Sequence, residues 1–161
     1  MTPDGQLADY PFITDFDPFD FFKGQLYAYG AFIDRTGAVK RRFTAEITGH
    51  IEQDILILDE HFIFDDGERE QRIWKLKYQD NDRISAFCDD VVGEASGRII
   101  GSSLHLSYDF LLNISGRRIK FKFDDIIICE DGIHAVNRAR VSKFGIFVGD
   151  VIITFKKLPS Q

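Results

Sequence analysis

The run "RRIKFKFDDIIIC" (117–129) alternates apolar and polar side chains through its first half and is closed off by "EDG" (130–132). Ile119, Phe121 and Phe123 fall on one parity, Lys120 and Lys122 on the other. Successive residues of a strand face opposite sides, so this is a strand with one apolar and one wet face. Carrying the parity onward puts Asp125 with the apolar set and Asp124 outside. An acid on the buried side of a strand is what the rest of the chain has to explain.

The same pattern recurs along the chain. "GQLYAYGAFI", "VKRRFTAEITG", "ILILDEHFIF", "REQRIWKLKY", "RISAFCDD", "SLHLSYDFLL", "IHAVNRARV" and "IFVGDVIITFKK" are β-type runs. Between them lie turn residues such as Asp34-Arg35-Thr36-Gly37, Asp65-Asp66-Gly67 and Ser115-Gly116. Turn signals at intervals of about ten residues mark an antiparallel barrel or sandwich of roughly nine or ten strands. "VVGEASG" (91–97) reads as a Gly-rich corner. No segment sustains an apolar period of 3.6, so no long helix is expected. The short connections suit hairpins, and closing the meander removes exposed edges. The expectation is an all-β, antiparallel, up-and-down β-barrel of the lipocalin or calycin kind, wide enough for one small ligand. The alternative is a packed sandwich with no cavity.

With 161 residues the chain is long enough for one domain with a sizeable core. We divide it into an extended N-terminal arm (1–22), a barrel (23–158) and a tail (159–161). The arm holds three of the four prolines, and Phe12, Phe16, Phe19 and Phe22 can dock on the barrel. Phenylalanine is abundant, 16 residues against 5 Tyr and 1 Trp, which suits sheet faces or an apolar cavity lining. Net charge is -6 with dispersed basic residues, which argues against a nucleic-acid footprint. Lys40-Arg41-Arg42 is the one basic cluster and reads as a solvated strand start. Cys88 and Cys129 are too few for a disulfide framework; they are read as buried free thiols, with a bridge between neighbouring strands as the alternative. No apolar stretch approaches the roughly 20 residues of a membrane span.

Parity sorts the remaining strands. Leu56, Leu58, Phe62 and Phe64 carry Glu60 inward. Trp74, Leu76 and Tyr78 carry Arg72. Ile84, Ala86 and Cys88 carry Asp90, and Ile133, Ala135, Ala139 and Val141 carry Asn137. The Asp-Asp pairs 65–66, 89–90 and 124–125 therefore send at most one acid each inward. Single polar residues from separate strands converge instead: Glu60, Arg72, Asp90, Asp125 and Asn137. Unpaired ions in an apolar interior cost several kcal/mol, so these groups must pair, neutralise or meet water. Three acids against one arginine implies either a carboxyl with a raised pKa or a further base joining the group. A buried network tying strands together would account for the same residues; a polar floor orienting a ligand's head group is the functional alternative.

Other chemistries are weaker. His50, His61, His105 and His134 lack metal-ligand spacing, and "DDGE" (65–68) is a hairpin turn, too short for an EF-hand loop. No metal or cofactor is expected. "NRARVSKFGIFVG" (137–149) sets Arg138, Arg140 and Lys143 before a Phe144-Gly145 bend: an exposed cationic edge, or an anion site if the barrel mouth lies there.

Taken in order, "FFKGQLYAYG", "RRFTAEITG", "LDEHFIFDDGEREQRIWKL", "DDVVGEASG", "FDDIII" and "NRARVSKFGIFVGD" resemble the bacterial family catalogued as domain of unknown function 3833. The resemblance runs from about residue 16 to 157 and implies one lipocalin-like barrel, without implying an activity. Family members are often lipoproteins with a leader and a lipid-modified cysteine, and neither is visible here. The expected location is the cytoplasm for a complete chain, or the periplasm or a membrane anchor if a leader has been removed. Members encoded beside fatty-acid-modifying enzymes point toward acyl ligands. Two functions are then expected in order. The first is binding of a small hydrophobic or fatty-acyl ligand through Glu60, Arg72, Trp74, Asp90, Asp125 and Asn137, with Arg72 placed to meet a carboxylate. The second is an isomerase, cyclase or hydratase using Glu60 or Asp125 as acid–base. A scaffold lipoprotein is the third. The sequence leaves the oligomeric state open.

Overall fold

The computed structural model describes residues 12–160. A short helix α1 (Pro18–Phe22) precedes ten strands: β1 (Gly24–Asp34), β2 (Val39–Glu52), β3 (Ile55–Phe64), β4 (Arg69–Tyr78), β5 (Arg83–Phe87), β6 (Ala95–Ile100), β7 (Ser103–Ile114), β8 (Arg117–Cys129), β9 (His134–Lys143) and β10 (Ile146–Lys157). Each strand pairs antiparallel with the next, and β1 pairs with β10 to close the barrel. The chain is an all-β up-and-down barrel, and among the described residues no strand edge is left unpaired. No described helix is long and apolar enough to cross a membrane.

The strand that "ASGRII" forms, β6, is where the sequence reading placed only a corner. Gly97 explains the error. Glycine usually weakens a strand, but a Cβ here would meet Leu106 Cδ1 at 2.9 Å and the Ile84 carbonyl oxygen at 3.2 Å. A side chain at this point would have to push Leu106 and the β5 backbone aside. β5 also ends at Phe87, so Cys88–Asp90 is turn rather than strand.

Five hairpins, β1–β2, β3–β4, β5–β6, β7–β8 and β9–β10, lie at one end of the barrel. The other end receives both chain ends of the barrel and is closed by the N-terminal segment. Pro18 opens α1 with its φ already helical, and Asp17 caps it by accepting from the Phe19 and Asp20 amides at 3.1 and 3.4 Å. Phe16, Phe21 and Phe22 are buried together in edge-on and tilted contacts, and Phe22 reaches Phe155. Backbone bonds from Ile13 to the Glu130 carbonyl and from Phe16 to the Gly101 carbonyl tie the segment to the closed end. Phe19 packs on Tyr78, whereas Phe12 stays exposed and is not docked. The part of the arm before Phe12 lies outside the described residues. Within the remainder, the extended expectation gives way to α1 at Pro18–Phe22, because Asp17-Pro18 is a helix start.

The core has two apolar tiers. A lower one joins the plug to residues such as Leu26, Leu56, Leu104 and Ile127. An upper one holds Val91, Phe110, Phe123, Ala139 and Val141. Both cysteines are free, Cys129 buried and Cys88 half-buried.

Candidate functional site: a cavity with a polar belt

Between the plug and the hairpin end the barrel encloses a cavity of about 810 Å³. Phe22 forms part of its floor, and Asn113, Ile114 and Arg118 lie at its mouth. The interior is therefore neither solid with Phe side chains nor a packed sandwich.

Glu60, Arg72, Trp74, Asp90, Asp125 and Asn137 all line this cavity. Parity puts five of them there. Asp90 arrives differently, from the turn after β5. Ile133, expected to point inward with Asn137, lies before β9 and is exposed. The polar residues do not make a floor. Glu60, Arg72, Tyr108, Asp125 and Asn137 sit toward the middle of their strands, with aliphatic and Phe22 surface below and aromatic rings above. They form a belt, because the plug supplies an apolar floor that the strand pattern alone does not reveal.

The belt has two halves. Asp125, in β8, is buried and accepts a hydrogen bond from the Tyr108 hydroxyl at 3.1 Å and from Asn137 Nδ2 at 3.2 Å. Burial nevertheless pushes its carboxyl up to about 7, against the opposing pull of the Asn137 and Tyr108 bonds. Tyr108 is itself raised well above its usual value by burial and by Asp125. Asn137 is only 5% exposed, and its Oδ1 has no hydrogen-bond partner among the described residues. A buried acceptor without a donor costs about 1–3 kcal/mol, which makes this one a ready partner for a donor entering the cavity.

Glu60, in β3, sits directly across from Arg72 in β4, yet the guanidinium turns away from it. Arg72 Nη2 donates to Glu70 at 2.7 Å and Nε to Asp90 at 3.4 Å, while its Cζ lies 4.9 Å from the Phe110 ring centre and 5.1 Å from that of Phe62. Asp90 is also bound by Arg118 at 2.8 Å. The charge of Arg72 is thus committed at the mouth, and among the described residues no cation lies within ion-pair distance of Glu60. Burial raises the Glu60 carboxyl to about 7, with Arg72 pulling it down and Asp125 adding to the rise. Two carboxyls are thus raised, one from each half of the belt, and a second cation, Arg118, joins Arg72 at the third acid, Asp90.

The sequence profile of the proteins of unknown function termed DUF3833 matches residues 8–157. The chain belongs to this family. No curated protein is similar to it at a significant level. In fold, the DUF3833 barrel is similar to the S-type phycobiliprotein lyase of Guillardia theta, with a TM-score of 0.66 and 8% identity over 89% of this chain and 92% of that one. It is also similar to a protein of unknown function from the DUF3598 family of Nostoc punctiforme (TM-score 0.64, 11% identity, 95% of this chain and 54% of that one). A third, Rv2717c from M. tuberculosis, gives a TM-score of 0.59 at 11% identity over 90% of this chain and all of the other. At these identities the likeness is one of fold.

Several lining residues of the DUF3833 barrel escaped the sequence reading. Tyr108 shares parity with Leu104, Leu106 and Phe110, so the signal was present in "SLHLSYDFLL". Glu70 shares parity with Arg72, and Arg118 reaches in from the β8 start. Arg41 was assigned to a solvated cluster, but it turns to the mouth, over the Phe64 ring at 3.6 Å, and bonds Glu68 at 2.7 Å. Arg138, Arg140 and Lys143 do not converge on the cavity. The two arginines face outward beside a shallow wall hollow of about 380 Å³. Lys143 Nζ donates to the Lys120 carbonyl at 2.7 Å instead of standing free for an anion. "DDGE" is a hairpin turn in which Asp66 accepts from the Glu68 amide at 2.9 Å.

Proposed function

We propose that this barrel binds a small hydrophobic ligand with a hydrocarbon chain of fatty-acyl length in its interior. The observation that carries the proposal is the cavity itself, about 810 Å³ of largely apolar space interrupted by one polar belt. Ligand pockets of ~300–1,000 Å³ with an apolar lining and a few placed polar groups are the usual anatomy of small-molecule sites. Leu58, Leu106 and Ile127 below the belt and Phe62, Phe110 and Phe123 above it offer the body of the ligand an apolar surface. The belt gives its polar end a partner.

The test is direct. Purified protein is titrated with an environment-sensitive naphthalene probe, then with medium-chain acyl compounds as competitors, and native mass spectrometry is used to look for co-purifying lipid. Saturable binding of one probe per chain, displaced by the acyl compounds, supports the proposal. No probe uptake together with no bound lipid refutes it.

A second reading, acid–base catalysis on such a ligand, rests on one observation: Glu60 and Asp125 both titrate at about 7, where a carboxyl can both give and take a proton. Turnover of a bound ligand that vanishes in Glu60→Gln or Asp125→Asn but survives in Asp59→Asn would favour catalysis. Binding without turnover leaves the barrel a carrier.

A further inference from the structure

Resting on the binding proposal above, a donor count around the belt specifies the chemistry of the ligand's polar end. The donors there are largely turned to carboxyls. Of the five N–H groups of the Arg72 guanidinium, one goes to Glu70 and one to Asp90; the Tyr108 hydroxyl and Asn137 Nδ2 both bond Asp125, and the Trp74 indole N–H is directed at Glu60. The acceptors are in surplus. Asn137 Oδ1 is buried and unpartnered, Glu60 has no cation in ion-pair range among the described residues, and Asp125 retains lone pairs beyond its two bonds.

The charge balance runs the same way. The cavity lining holds five carboxyl groups, Glu60, Glu70, Asp89, Asp90 and Asp125. Against them stand Arg41, Arg72 and Arg118, each of which is ion-paired at the mouth. The unpartnered Arg41 Nε is a cationic donor at the mouth, so a ligand carboxylate would be held there and not at the belt, where it would meet chiefly acceptors and negative charge. An ammonium group brings three N–H donors and a positive charge to a place short of both.

We propose that the ligand is a hydrophobic primary amine, whose ammonium group sits in the belt against Asn137 Oδ1, Asp125 and Glu60 while its hydrocarbon body fills the apolar tiers. The groups facing that ammonium are Glu60 from β3, Arg72 from β4, Tyr108 from β7, Asp125 from β8 and Asn137 from β9, with Asp90 and Glu70 behind Arg72. Among these only Arg72 is cationic, and it is turned toward the mouth. Bound ammonium also stabilises the ionised carboxyls, so binding near neutral pH releases protons.

Trp74 is the sole tryptophan and lines the cavity, so its emission reports occupancy without a label. The experiment is a titration of the full chain with decylamine, decanol and decanoate at about pH 7.5, where the amine is charged and the acid ionised. Decylamine is expected to bind about tenfold or more tighter than either partner, with net proton release in weak buffer. Asp125→Asn and Glu60→Gln are each expected to weaken the amine about tenfold more than they weaken decanol, with Asp59→Asn as the variant that leaves both unchanged. Decanoate binding as tightly as the amine, or an amine preference untouched in both variants, overturns the amine assignment and leaves the cavity proposal standing. Failure of all three compounds to perturb Trp74 overturns both.

Discussion

Glu60 and Arg72 are cross-strand neighbours of opposite charge that do not pair. The reason lies in competition: Arg72 finds two carboxylates and two aromatic faces at the mouth, and a guanidinium is well matched to both kinds of partner. Glu60 and Asp125 then ionise at about 7 in the folded barrel, against ordinary values of 4.5 and 3.8. As pH rises from there, the unfolded chain releases these two protons first, while the folded chain still holds them. Stability therefore falls with rising pH until about 7 and levels off above it. At ~1.4 kcal/mol per unit, each carboxyl can account for on the order of 3 kcal/mol, shared because the two repel each other. The carboxylates Asp34, Asp66 and Asp80, held low chiefly by hydrogen bonds from the Thr36 side chain and the Glu68 and Asp82 amides, act in the opposite sense and below this window. Urea unfolding at about pH 5 and pH 8 is expected to show the wild type several kcal/mol weaker at the higher pH, and Glu60→Gln to lose on the order of half that difference. Equal pH slopes in both proteins would contradict the assignment of Glu60. Parity was enough to place Glu60, Asp125 and Asn137 inside, because a one-residue slip would have exposed Leu58 and Phe123 with them. It could not say which acid Arg72 would choose, since that depends on side chains meeting across the mouth.

At the level of elements, the floor of the cavity depends on one helical turn. Gly49 in β2 lies against it, and a Cβ there would overlap the Phe22 carbonyl oxygen. Gly49→Ala must displace α1, which should lower stability by about 2 kcal/mol or more and increase the uptake of hydrophobic dye through the loosened end. Asp17 holds the same turn twice, as its N-cap and as acceptor of the Tyr78 hydroxyl at 3.2 Å. Its partner Tyr78 is pushed up to about 12 by burial and by that carboxylate, so it stays protonated and donating. Asp17→Ala should cost about 1–2 kcal/mol in thermal or chemical unfolding, and an unchanged midpoint would show that the plug is held by its phenylalanines alone. The helix was signalled by Asp17-Pro18, but a single turn produces no apolar period, which is why the segment read as extended. β6 was hidden for the opposite reason: Gly93 and Gly97 look alike in sequence, yet Gly93 turns with a φ of 74° while Gly97 is flattened into the wall by its neighbours.

For the whole molecule, alternation along each strand and short hairpins were sufficient to foresee a closed meander, because both are local. The size of the interior was not local. Sixteen phenylalanines were compatible with a filled barrel or a lined one, and the outcome turned on where small residues fall. Ala28, Ala45 and Ala139 face the cavity and leave the room that larger side chains would have taken. Val151 pairs with Ala139 and lines the same space, so Val151→Phe should fill part of it and leaves Trp74 the sole indole. That variant is the control for the measurement closest to the central claim, quenching of Trp74 by a bromine-labelled decyl chain, which requires contact between the bromine and the indole. A hollow barrel that takes up an alkyl chain predicts saturable quenching at one equivalent in the wild type and its weakening in Val151→Phe with folding intact. Quenching that never saturates, that is unchanged in Val151→Phe, or that is absent would contradict it.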